Sequence, residues 1–233
     1  MVWLWNNLGL VLSLTLEHAR LSAVPIVVGF AASIPLGWLA NRYRIARGIL
    51  LPTGSILFTI PSIALFVSLP LVLGTKILDP TNVVVALTIY AVAIMVRGAA
   101  DAFGSVSADV QLSATAIGNS PWTRFWSVQF PLAGPVLLAN LRVVSVSTVS
   151  LLSVAALVGN GGLGYLFING YQRDFPEEVL VGIIAILLLA LLFDLVLVVV
   201  GRLLMPWERL RRRPSRLKPV HDSAVHDSAG AAL

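Results

Sequence analysis

The sequence predicts an all-α, polytopic membrane protein with about five transmembrane helices. Three observations carry this. The 233 residues are 58% hydrophobic and only 12% charged. The mean hydropathy is +0.90, a composition that needs lipid as its solvent. The apolar residues fall into long runs, and the arginines gather between runs, which is how membrane topology is written into a chain.

Residues 1–20 hold a short apolar segment behind Trp3 and Trp5. It is too short for roughly 30 Å of hydrocarbon and reads as a helix lying at the interface, with a true span as the other reading. The transmembrane domain is expected over 21–206. Its first span, 21–40, contains Pro25 and Pro35 and is followed by Arg42, Arg44 and Arg47, which mark a cytoplasmic loop. The second, 49–73, is kinked or broken by Pro52, Pro61 and Pro70. The third covers 82–96, the fourth 134–158 and the fifth 179–204. The exterior loops carry just Lys76 and Arg173 as basic residues. Five spans put the N-terminus outside and the C-terminus in the cytoplasm, with Arg20 as the exception to the charge pattern. Residues 207–233 form a basic, disordered tail with VHDSA repeated twice. Its His221, Asp222, His226 and Asp227 are read as inert rather than as metal ligands.

Several chemistries are excluded. There is no cysteine, hence no disulfide, thiol nucleophile or thiolate metal site. The formal charge of +5 reports topology, not nucleic-acid binding. Gly159-Asn160-Gly161-Gly162-Leu163-Gly164 matches a dinucleotide fingerprint in letters, but it closes a membrane span instead of joining a strand to a helix. It reads as a close-packed corner. No phosphate-binding loop precedes either Lys76 or Lys218, so the chain is expected to hold no cofactor; ATP and Mg would sit on another subunit.

The polar stretch 108–140 interrupts the membrane pattern, and a coupling loop is expected over 101–133. Asp109 to Ile117 forms one short helix, stopped at Gly118. Ser120 is an N-cap, with Pro121 at the first helical position. The second short helix places Trp122, Phe125 and Trp126 on one face, and Pro131 ends it. This is either a docking surface for a soluble partner or an ordinary connection with an interfacial aromatic helix.

Two further constellations lie inside spans. Arg142 and Asp194 sit at similar depths in the fourth and fifth spans, and an unpaired charge in lipid is costly. They are expected to pair, either to pin two spans together or to move a proton or substrate. Thr59, Pro61 and Ser62 interrupt the second span at mid-depth, and with Tyr90 of the third span they are the candidates for a substrate path. They line a path or merely kink a packed helix.

Gly118, then nine residues, then Val128-Gln129-Phe130-Pro131 resembles the E-A-A-x3-G-x9-I-x-L-P signature of permease subunits of ATP-binding-cassette importers. Ser113 and Ala114 stand for the alanines, Leu112 replaces the acid and Phe130 replaces a leucine. The stretches 29–37, 59–66, 155–164 and 189–197 are similar to the osmoprotectant branch, which imports glycine betaine, carnitine, choline and proline betaine. The resemblance covers about 16–206. It implies a type I importer permease architecture, a second permease subunit (identical or different), two cytoplasmic ATPases and an external binding protein. It also implies that Ala114, Gly118, Pro121, Trp122, Arg124, Phe125, Trp126 and Pro131 couple to the ATPases, in alternating access. A methionine- or phosphonate-type importer shares the architecture. A membrane scaffold recruiting a cytosolic partner is the reading outside transport.

Overall fold

The computed structural model describes residues 2–207; the tail from Glu208, with its basic run and VHDSA repeats, lies outside the described residues. All regular elements among the described residues are helical. A short helix α1 (Val2–Asn6) precedes α2 (Leu8–Arg42), 35 residues long. The break expected near residue 20 is absent. One helix runs from the apolar segment behind Trp3 and Trp5 through Pro25 and Pro35 to Arg42.

α3 (Arg44–Thr59) and α4 (Ser62–Leu73) meet at a bend of 104°. The sequence explains where. A residue preceding proline is driven out of the helical region, and Ile60, before Pro61, is extended at φ −65°, ψ 128°. Pro52 and Pro70 stay inside their helices. α5 (Pro80–Gly104) starts from Asp79, whose carboxylate accepts from the Thr81 amide at 2.9 Å. Hydrogen bonds from the Thr81 side chain and amide hold that carboxyl below the usual aspartate range.

α5 is the central helix. Glycines of α2 press on its alanines: a Cβ at Gly29 would strike Ala91, and one at Gly37 would strike Ala99. Small residues let helix backbones approach where lipid gives no hydrophobic drive. The register, eight residues on each helix, also shows that α2 and α5 run parallel. The bent pair α3–α4 must therefore return the chain across the bundle, and it counts as one crossing.

Five helices and two short turns complete the described chain. α6 (Ala108–Ala116) and α7 (Pro121–Arg124) form the connection. A π-helical turn, Phe125–Gln129, then leads directly into α8 (Phe130–Val154) and a 3₁₀ turn, Ala155–Val158. α9 (Gly164–Gln172) is a short helix within the expected exterior loop, and α10 (Pro176–Leu204) is the last span. α8 lies antiparallel to α5, with Gly98 against Asn140, and antiparallel to α10, with Gly134 against Met205. Among the described residues this makes five crossings, the bent pair counted as one, with Val2 and Trp207 on opposite sides. The core runs through Met95, Ala99 and Phe103 of α5 and Leu137 and Val144 of α8. Of the most apolar stretch of α5, 61% is buried in this chain, against 6% for α10. α10 therefore faces lipid or another subunit.

Candidate functional site

One end of the bundle gathers the connection between α5 and α8. α6 is capped by Ser107, which accepts from the Asp109 amide. Its exit is a Schellman turn: Gly118 N–H donates to Thr115 O at 3.0 Å and Asn119 N–H to Ala114 O at 3.1 Å. Gly118 stands at φ +89° with nothing near its missing Cβ. Backbone shape, not crowding, selects glycine there. Ser120 caps α7 by accepting from the Thr123 amide at 3.2 Å, and Pro121 holds the first helical position.

The aromatic face divides. Trp122 and Trp126 are exposed and stack edge-to-face at 5.7 Å. Phe125 does not join them outside: it is buried, 5.5 Å from Phe103 and 5.9 Å from Trp38. Spacing i, i+3, i+4 puts three rings on neighbouring positions, and packing against α2 and α5 then claims the middle one. Pro131 does not end the helix either. The π turn, in which Phe130 N–H reaches back to Phe125 O, carries the chain into α8 with the proline in its first turn. Near a helix start a missing N–H removes little. Ala114 is buried, while Leu112, where the family signature has an acid, is exposed, as is Ile117. Arg124 is turned inward, donating to the Thr115 hydroxyl.

Inside the bundle, Arg142 and Asp194 form a two-point fork. Arg142 Nε donates to Oδ1 at 2.5 Å and an Nη to Oδ2 at 2.7 Å. The side chains remain 43% and 26% exposed, so this chain alone does not seal the pair. At the bend of the second crossing, the Tyr90 hydroxyl donates to Ile60 O at 2.6 Å. It satisfies a carbonyl that the helix break leaves free. Phe58 meets the Tyr90 ring edge-on at 5.8 Å. Pro61 and Ser62 begin α4, and the exposed Thr59 hydroxyl donates to its own Ile56 carbonyl. Tyr90 and the break thus form one cluster.

The opposite end holds a feature the sequence reading passed over. His18, fully buried in α2, accepts the Leu163 amide on Nδ1 at 3.2 Å. Its Nε2 therefore carries the proton and donates to Val149 O at 2.9 Å. One imidazole ties α2, α8 and the glycine corner together. Gly162, at φ +45°, has room for no side chain against His18. Asn160 adds a bond to Leu78 O at 2.8 Å. A lone histidine in an apolar run was the available signal.

Residues 33–209 match the family model described as the binding-protein-dependent transport system inner membrane component. The chain belongs to that family. It is a multi-pass membrane permease component of such a system. Among similar curated proteins is the choline transport system permease protein OpuBB of Bacillus subtilis, 31% identical over 207 residues, covering 88% of this chain and 93% of the relative. The osmoprotectant import permease protein OsmW of Salmonella typhimurium is 31% identical, covering 82% and 90%. Among solved structures, the MetNI methionine transporter in an inward-facing conformation superposes with a TM-score of 0.72. The alignment covers 85% of this chain and 98% of that one at 21% identity, a likeness of fold.

Proposed function

We propose that this chain is the membrane-spanning subunit of an ATP-driven importer for a compatible solute or quaternary amine, such as glycine betaine, choline or carnitine. The observation that supports it most is the resemblance, over most of both chains, to permeases named for choline and osmoprotectant import. The subunit performs no chemistry. It holds no cofactor, and ATP and Mg belong to two cytoplasmic ATPase subunits. A second permease completes the path, and an external binding protein delivers the cargo. The N-terminus lies outside and the C-terminus in the cytoplasm of the cell membrane.

Coupling resides in the helix–Gly118–helix unit. Leu112, Ile117 and Trp122 present its exposed apolar surface, the kind of patch that marks a protein contact. Gly118 and Pro121 set its angle, while Ala114, Phe125 and Pro131 seat it on the bundle. Thr59, Pro61, Ser62 and Tyr90 border the substrate path at the bend of the second crossing. The spans offer scattered rings and no aromatic cage, so high affinity for a quaternary ammonium rests with the binding protein. A conduit needs weak contact to release its cargo.

The test is uptake into vesicles containing the chain with its neighbouring subunits, using labelled glycine betaine, choline, carnitine and methionine. ATP-dependent uptake of a quaternary amine supports the reading. Uptake of methionine alone assigns the other importer type, and no uptake with a cytosolic protein still bound assigns a scaffold.

A further inference from the structure

Two cavities at the connecting end share a wall. The first is an apolar groove of about 720 Å³, bounded by Phe30, Ile34 and Trp38 of α2 and by Trp122, Phe125 and Trp126. The second is a polar cavity of about 310 Å³, bounded by Asn41, Arg42, Gln111, Arg124 and Gln129. Trp38 and Pro121 line both. The polar cavity holds two guanidinium groups with no acid beside them. The ion pairs among the described residues are Arg47–Asp101, Arg142–Asp194 and Arg173–Glu178, and neither Arg42 nor Arg124 enters one. Arg124 Nε is buried with no hydrogen-bond partner. A buried donor left unmade is costly and asks for an acceptor.

We propose that these two cavities form one binding site for an anionic phospholipid. An acyl chain lies along α2 in the groove, and the phosphate sits between Arg42 and Arg124. Three features select this occupant. The apolar and polar parts adjoin at Trp38 and Pro121, so a ligand that fills both is an amphiphile. The polar part lies where α2 ends, with Trp38 at the boundary, as at a headgroup level. From Trp38 to Phe30 the groove runs roughly 12 Å back along the span, at 1.5 Å per residue, into depth that lipid occupies and a cytosolic protein does not. The two arginines repel a quaternary ammonium, so the site is not the cargo's.

The test titrates the full-length chain with phosphatidylglycerol or phosphatidylcholine of identical acyl chains, read by native mass spectrometry. Phosphatidylglycerol is expected to bind roughly tenfold or more tightly, as two basic residues at a headgroup provide. Arg42→Gln with Arg124→Gln removes that preference, whereas Arg44→Gln, exposed and outside the cavity, keeps it. Ala31→Trp, at an exposed position on the groove wall, fills the groove, leaves both charges and weakens phosphatidylglycerol binding independently. Millimolar inorganic phosphate does not displace the lipid. Equal affinity for the two lipids overturns the proposal, and so does loss of preference in Arg44→Gln. Displacement by phosphate makes the site one for a free anion. An acidic ATPase residue cross-linked into the cavity makes it a protein contact.

Discussion

His18 offers the sharpest energetic test of this fold. Its side chain is fully buried and carries two hydrogen bonds to backbone 131 and 145 residues away. His18→Ala leaves the Leu163 amide without its acceptor. A buried unsatisfied donor costs about 1–3 kcal/mol. Val149 O loses less, because it sits within α8 and retains a helical partner. The cavity left by the ring adds to the loss. Together these give about 2–4 kcal/mol. For a chain of this size that is a fall in Tm of roughly 5–15 °C, readable by scanning fluorimetry in detergent. His18→Gln keeps an acceptor and a donor at similar reach and should lose less than half as much. A fall under about 2 °C for His18→Ala, or equal falls for the two variants, would refute the argument that these hydrogen bonds hold the corner.

Three other outcomes are expected. Asp194→Asn leaves Arg142 unpaired within the span and should reduce assembly and uptake, while exchanging the two residues (Arg142→Asp with Asp194→Arg) should restore part of both; unchanged uptake in Asp194→Asn removes the pair from the account. Gly118→Asp meets open space at its Cβ but must hold φ +89°, a strain of about 1–3 kcal/mol at an exposed turn; it should still insert, yet uncouple ATP hydrolysis from uptake, and normal uptake per ATP counts against the coupling role. Tyr90→Phe leaves the Ile60 carbonyl without its donor and should slow uptake severalfold with little change in expression, measured in the same vesicles.

Local chemistry was the legible part of the sequence. Gly118 as a stop, Ser120 as a cap and Pro121 behind it need only a few neighbouring residues, and all three occupy those positions. Counting depth along two spans sufficed to bring Arg142 and Asp194 together, since lipid forbids most alternatives. What failed required knowing a distant neighbour. Phe125 shares its spacing with Trp122 and Trp126, and only the approach of Trp38 and Phe103 decides that it turns inward. Pro131 looks like a terminator until a π turn absorbs it. The continuity of α2 was hidden for a related reason. An apolar segment too short to span alone is read as separate, yet its residues dock on α8, α9 and α10 through Val11 and His18. His18 stands out in the sequence as a lone histidine in an apolar run, but its role does not, because its partners are carbonyl and amide groups that every residue possesses.

The π turn has a mechanical corollary. Because it joins two helices without a hinge, residues 121–158 make a single rod of 38 residues, roughly 55 Å at 1.5 Å per residue. A tilt of about five degrees at the tryptophan tip swings the far extremity by about 5 Å, nearly one helical pitch. That extremity is the glycine corner clasped by His18, so any tilt that keeps the rod straight would move the two ends together.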